Sequence, residues 1–325
     1  MEKVVIISGT SHFGLARRVA EKLGKECVLP KIYRYGTGDF EVRIPANVRR
    51  QTVFVIQTFL PNLEKVCYHF LETVFIVNAA YKASAQEVNL IVPHLGWDQS
   101  DKKWTGRMPI AGELIAAMFH YAGVHRYVGL HFHSPQFPGF FPLPCIVDHL
   151  VATPILIRAV EQNDWHKNAV LVAGDLGFAK MGRKIADRLG LPLIKIDKER
   201  ISGKKVKIHE IYGKEEIPGK RVILWDDKIV RGSTMRGIIN ALTKIGAEEF
   251  IIVATHGLFT EATIRNLRHP KVKRIIVTDS VPQPGKVKRR LPLEIVSIDE
   301  LLAAAIREIS IERGSVSKLF TDSMA

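Results

Sequence analysis

The sequence predicts an α/β protein of two tandem domains, each a doubly wound parallel sheet. Three observations carry this. Short β-branched runs alternate with helical stretches through nearly the whole chain, as in successive βαβ units. The apolar runs are short and almost unbroken, the pattern of strands covered on both faces. A chain of 325 residues also suffices for two domains of roughly 150 residues each.

In order, residues 4–7 read as the first strand and 14–23 as a helix with Leu15, Val19 and Leu23 on one face. Strands follow at 53–56, 89–92 and 127–130. A Pro/Gly/Phe-rich stretch, 135–144, then breaks the periodicity, which places the first domain at 1–147. In the second, 148–302, strands are expected at 169–172, 221–225, 250–255 and 274–278, with helices at 178–189, 233–245 and 299–309. Residues 303–325 are expected to form a C-terminal helix and tail that pack back on the N-terminal domain. Residues 198–209 and the basic 285–290 read as exposed and mobile.

Lys and Arg number 47 against 33 Asp and Glu, a formal net charge of +14. Such a surplus points to an anionic ligand: nucleic acid, a membrane surface or a phosphorylated small molecule. No apolar run approaches the roughly 18–20 residues that span a bilayer, and the apolar start is too short for a signal peptide. No membrane partner is expected. Cys27, Cys67 and Cys145 are widely spaced without a CxxC pair, as for reduced, packed thiols in a cytoplasmic protein. Nucleic-acid-binding motifs are absent, and the basic stretches 204–207, 271–274 and 286–290 lack interleaved aromatics. They read as solvated faces, so nucleic acid is not the expected partner.

The chemistry concentrates between Arg221 and Thr234. An apolar strand ends in Asp226 and Asp227, Gly232 turns the chain, and Ser233 and Thr234 open a helix. Ligands of open α/β sheets bind beyond the carboxyl ends of the strands. Backbone N–H groups at that helix start would cradle a phosphate, and the two carboxylates could accept sugar hydroxyls or hold Mg²⁺. An Asp pair alone is more often a solvated turn. Strand, acids, glycine and hydroxyls in this order favour a site.

These residues resemble the phosphoribosyl-binding loop of the type I phosphoribosyltransferase fold. More specifically, the chain resembles the ribose-phosphate pyrophosphokinase family along its whole length. Matching segments include 8–11 with Leu15 and Ala16, 53–57, 133–136 leading to 139–141, 148–150, 174–177, 197–200, 254–259, 277–282 and 315–320. The resemblance implies transfer of the diphosphoryl group of ATP to the 1-hydroxyl of ribose 5-phosphate, with Mg²⁺ as cofactor and a homo-oligomer. It implies that Asp226, Asp227, Gly232, Ser233 and Thr234 bind the phosphosugar, with Asp175 beside sugar and metal. Lys198 and Arg200 match mobile-loop cations that close over the diphosphoryl group, the catalytic pair. His133 would lie near the metal and the ATP phosphates.

The chain also departs from the family. Val230 and Arg231 stand where an acidic residue and a Thr usually follow Ile. Arg231 could supply a bidentate phosphate contact or fill the pocket with its side chain. His131 replaces an Asp, and His131 and His133 are expected to alternate along one strand and face one side. On the nucleotide side Tyr35 keeps an aromatic and Asp39 one acid, whereas 99–103 keeps Asp101, Lys102 and Lys103 but loses an Arg and a Gln. Trp97 and Trp104 flank that segment as stacking surfaces or loop packing. The main reading is an active synthetase. A non-catalytic, synthetase-like regulatory subunit or phosphate-ligand sensor is the alternative, and a phosphoribosyltransferase or sugar-phosphate kinase with altered substrate is a weaker one.

Overall fold

The protein is described from a computed structural model, covering residues 3–173, 179–202 and 205–321. The proposed sugar and metal ligand Asp175 falls outside them. Two units divide the chain: the part up to Val151 with the part from Ile298 onward, and Ala152–Ser297.

In unit 1 the apolar runs become β1 (Val4–Ser8), β5 (Thr52–Ile56), β6 (Glu87–Val92) and β7 (Arg126–Leu130), joined by β2 (Cys27–Val28) and β8 (Ile146–Leu150). Among the described residues the sheet order is β2-β1-β5-β6-β7-β8, and every pairing is parallel. The chain leaves β1 in one direction and returns in the other, so right-handed crossovers put α1 (Phe13–Lys22) opposite α2 (Leu63–Lys82) and α3 (Ala111–Ala122). β3 (Lys31–Arg34) and β4 (Phe40–Arg43) form a separate antiparallel ribbon. Phe40 seats that ribbon on α2, 4.9 Å from the Tyr68 ring and 5.2 Å from Phe75.

Unit 2 repeats the plan. After α4 (Thr153–Gln162) come β9 (Ala169–Ala173), α5 (Ala179–Leu189), β10 (Leu193–Ser202), β11 (Lys205–Tyr212), β12 (Arg221–Ile229) and α6 (Ser233–Lys244). Then follow β13 (Glu249–Gly257), α7 (Glu261–Leu267), β14 (Val272–Thr278), α8 (Gly285–Arg290) and β15 (Leu293–Val296). The described order is β11-β10-β9-β12-β13-β14-β15, antiparallel only between β10 and β11. Apolar side chains of α6 and α7, among them Ile238, Leu242 and Ile264, pack on Val222, Leu224 and Ile252 of the central strands.

Several expectations change. Residues 198–209, read as mobile, fall largely in the β10–β11 hairpin, with Lys198 paired to Ile208 and Arg200 to Val206. The basic stretch 285–290, also read as mobile, forms α8. β8 is hydrogen-bonded to β7 and so stays with the first sheet past residue 147. The last helices, α9 (Asp299–Ser310) and α10 (Ser317–Thr321), belong to unit 1, which puts the second cut before residue 302. Arg18 of α1 pairs with Asp299 of α9 at 3.0 Å.

Candidate functional site

The decisive segment lies on the central strand of unit 2. β12 runs between β9 and β13, with Trp225 opposite Ala173 and Asp226 opposite Ala254. The strand continues four residues beyond the apolar run, to Ile229, so both acids sit on its carboxyl end, half-buried. The Asp227 N–H donates to Asp226 Oδ1 at 2.9 Å, which ties the pair into one local geometry.

Gly232 then turns the chain into α6 with φ of 70°, the left-handed region that glycine enters without steric cost. A Cβ there would also lie 3.1 Å from Leu267 Cγ. The loop is held from its carbonyl side. The Thr263 hydroxyl donates to the Val230 carbonyl, the Asn266 amide donates to the Arg231 carbonyl at 2.8 Å, and the Leu258 N–H donates to the Ile229 carbonyl at 2.8 Å. Thr263 is itself fixed by a reciprocal capping box with Thr260 at the start of α7. With its carbonyls anchored, the turn presents amides. No side chain among the described residues caps α6, and its first intrahelical bond runs from the Arg236 N–H to the Gly232 carbonyl. The N–H groups of the first turn are thus the unpaired donors that every α-helix leaves at this end. Ser233 and Thr234 lie half-buried in that turn, and Arg231 is exposed rather than filling the space beside it.

In unit 1, the loops after β1, β5, β6 and β7 all leave the carboxyl edge of the sheet. Asp101 is half-buried in the loop after β6, and Lys102 lies 4.4 Å over the exposed Trp104 ring. Trp97 is packing: it meets Phe70 edge-on at 5.9 Å. Tyr35 and Asp39 occupy the exposed tip of the ribbon, where the Tyr35 hydroxyl donates to Glu41 at 2.9 Å. That bond raises the phenol's pKa, because ionisation would place a second negative charge on it.

The two histidines do not share a strand face. β7 ends at Leu130, His131 takes φ of 53° and is buried, and His133 is exposed. Alternation failed because the strand stopped one residue before the pattern began. His149, within the matching segment 148–150, has a role that the sequence reading did not assign. Its Nε2 accepts the Phe132 N–H at 3.0 Å, and burial with His131 nearby pushes its pKa down to about 4.

Two stretches of this chain match family models. Residues 4–123 match the N-terminal domain of ribose phosphate pyrophosphokinase, and 204–321 match the phosphoribosyl synthetase-associated domain. The ribose-phosphate pyrophosphokinase of Caldanaerobacter subterraneus subsp. tengcongensis is 34% identical over 97% of both chains. That of Aquifex aeolicus is 33% identical over 99% of this chain and 100% of its own. The crystal structure of phosphoribosylpyrophosphate synthetase from Mycobacterium smegmatis superposes with a TM-score of 0.84 at 30% identity, covering 94% of this chain and 98% of that one.

The chain belongs to the ribose-phosphate pyrophosphokinase family. Family membership makes it an enzyme, and the two-unit α/β architecture is that of the type I phosphoribosyltransferase-like fold. No helix among the described residues is long and apolar enough to cross a membrane.

Within this pyrophosphokinase framework, several residues escaped sequence reasoning. Lys228 is buried directly after the acids, in register with buried His256. His256 Nδ1 meets the Ser280 hydroxyl at 2.9 Å, and the Thr278 hydroxyl donates to the Thr255 carbonyl at 2.6 Å. A lysine between the acid pair and the apolar Ile229–Val230 was the available signal. Several cations of the basic stretches 271–274 and 286–290 also find partners. Lys286 and Arg290 pair with Glu261 at 2.9 and 2.8 Å, Arg274 with Glu294 at 3.5 Å, and Lys271 donates to the Ala247 carbonyl at 2.7 Å.

Proposed function

We propose that the chain transfers the diphosphoryl group of ATP to the 1-hydroxyl of ribose 5-phosphate, giving phosphoribosyl pyrophosphate and AMP. The observation that carries this is the β12–α6 junction, acids then amides, in a chain related end to end to ribose-phosphate pyrophosphokinases. The 5-phosphate would rest on the N–H groups of Gly232, Ser233 and Thr234, with the exposed Arg231 guanidinium as a second, forked donor. Asp226 and Asp227 would accept the ribose hydroxyls and so orient the reacting one. Such transfer is carried by positioning and charge neutralisation more than by covalent chemistry. Lys198 and Arg200, two residues apart on β10, would supply the cations over the transferring group. Tyr35, Asp39, Asp101 and His133 are the proposed nucleotide contacts, Tyr35 offering an exposed ring for base stacking.

Mg²⁺ is the proposed cofactor. No three His, Cys, Asp or Glu side chains converge into a metal cage among the described residues. Mg²⁺ commonly arrives with nucleotide phosphates and takes only one or two protein carboxylates. Asp175 would hold it, with His133 beside it. When bound, the ion would neutralise charge on the diphosphoryl oxygens. A homo-oligomer is also proposed. Leu114, Met118 and Tyr121 lie three or four residues apart along α3 and are 57%, 40% and 93% exposed, an apolar stripe suited to a second copy.

Incubation with ribose 5-phosphate, ATP and Mg²⁺, with AMP release followed, tests the activity. AMP and phosphoribosyl pyrophosphate in equal amounts are expected. Binding of both substrates without AMP release would instead favour the non-catalytic subunit. In that case Val230→Asp with Arg231→Thr tests whether the loop alone is limiting.

A further inference from the structure

Each unit has a topological switch, where the chain's winding direction reverses: between β9 and β12 in unit 2, and between β1 and β5 in unit 1. Crevices at such points are where open α/β sheets bind ligands. The switch of unit 1 opens onto a cavity of about 470 Å³ between the loop after β1, the first turns of α2, and Arg34 of β3.

The cavity floor has a definite hydrogen-bonding polarity. Glu72, fully buried, accepts the Thr10 N–H and the Thr10 hydroxyl, both at 2.9 Å, and the Gln57 amide at 2.7 Å. Burial pushes its carboxyl up while these donors pull it down. The net direction is upward, and the carboxyl accepts from all three donors. Because Gln57 turns its NH₂ toward Glu72, its carbonyl oxygen faces Ser11, where it accepts the Ser11 N–H at 3.2 Å and the Ser11 hydroxyl. Both hydroxyl protons therefore point into the protein. Ser11 Oγ also accepts the Thr58 N–H at 3.1 Å, so what Thr10 and Ser11 can offer a ligand is their remaining oxygen lone pairs. Gly9 makes room for this, since a Cβ there would lie 2.3 Å from the Gln57 amide.

The rim has a cationic excess. Arg34 and Lys65 are exposed cations beside one exposed carboxylate, Glu64, and Arg34 lies 5.1 Å over the Tyr68 ring while donating to its hydroxyl at 3.1 Å. His69 completes the wall as a neutral ring, its pKa held down to about 4 by burial and by Lys65. Acceptors below and cations above match a molecule that carries hydroxyls at one end and a phosphate at the other.

We propose that this cavity binds a sugar phosphate, its hydroxyls donating to Thr10 and Ser11 and its phosphate held by Arg34 and Lys65. The site is built wholly from unit 1 and does not depend on the assignment of the β12–α6 loop.

Calorimetric titration of the full chain with ribose 5-phosphate, AMP and inorganic phosphate tests it. A sugar phosphate is expected to fill a site that Arg34→Ala with Lys65→Ala weakens about tenfold or more, while Asp227→Ala leaves it intact. Circular dichroism confirms folding of the variants. Response to AMP alone identifies a nucleotide as the occupant, and response to ribose 5-phosphate identifies the free sugar phosphate. A single site lost in the cation variant but kept in Asp227→Ala supports this cavity and counts against the loop. Titrations that the cation variant leaves unchanged overturn the proposal. So does inorganic phosphate binding as tightly as the sugar phosphates, because the hydroxyl acceptors would then contribute nothing.

Discussion

The carboxyl edges of the two sheets present opposite hydrogen-bonding polarity. In unit 2 the turn after β12 has its carbonyls bound by Thr263, Asn266 and Leu258, so it faces outward with amides. In unit 1 the loop after β1 has donors bound by Glu72 and Gln57, so its hydroxyls face outward as acceptors. The same architecture thus yields a phosphate cradle in one place and a polyol-accepting floor in the other. What differs is which partner groups lie behind the loop.

The comparison breaks most severely at Glu72. Glu72→Ala leaves two donors of Thr10 and one of Gln57 without a buried acceptor, and should cost on the order of 4 kcal/mol in denaturant unfolding. Unit 2 has no stake in this network. An unfolding curve in which both units lose stability equally would contradict the assignment.

Acid should also act on unit 1. His69 and His149 have pKa values near 4 in the fold, below the ordinary 6.5. The unfolded chain therefore binds more protons between these values. Their contribution is complete above about pH 6.5 and is lost as pH falls toward 4, by on the order of 2 kcal/mol each at pH 5. His149→Gln, whose side-chain oxygen can still accept the Phe132 N–H, should flatten part of that slope. An unchanged slope would show that His149 titrates normally.

In unit 2 the expected effects are kinetic. Asp227→Asn should lower kcat/KM for ribose 5-phosphate by about ten- to a hundredfold, the loss of a charged hydrogen bond. The smallest effect belongs to Thr263→Val, which removes only the tie to the Val230 carbonyl. About 1 kcal/mol, seen as a fewfold rise in KM with kcat little changed, would mark Thr263 as a positioning residue. A loss confined to kcat would refute that role.

The β12–α6 site was legible because its parts are contiguous: strand, acids, glycine and hydroxyls follow one another in nine residues, Asp226 to Thr234. What holds it was not, since Thr263 and Asn266 lie more than thirty residues away and carry no motif of their own. The longest helix, α2, escaped for another reason. Its apolar side chains ring the helix: Ile76 and Val77 are buried while Leu63 and Leu71 are exposed, which blurs the 3.6-residue period. The hairpin of β10 and β11 was read as a loop because its charges mask alternation. Ile194 and Ile196 are nonetheless buried between exposed Lys195 and Asp197. The basic stretch 285–290, read as mobile, is a helix two of whose cations pair with Glu261, which is remote in sequence.

Gln57 is held in one setting from two sides. The Ser11 backbone N–H, which cannot turn, fixes its carbonyl oxygen, and Glu72 accepts its nitrogen. A side chain with almost no exposed surface thus sets the position of the loop after β1 above the sheet.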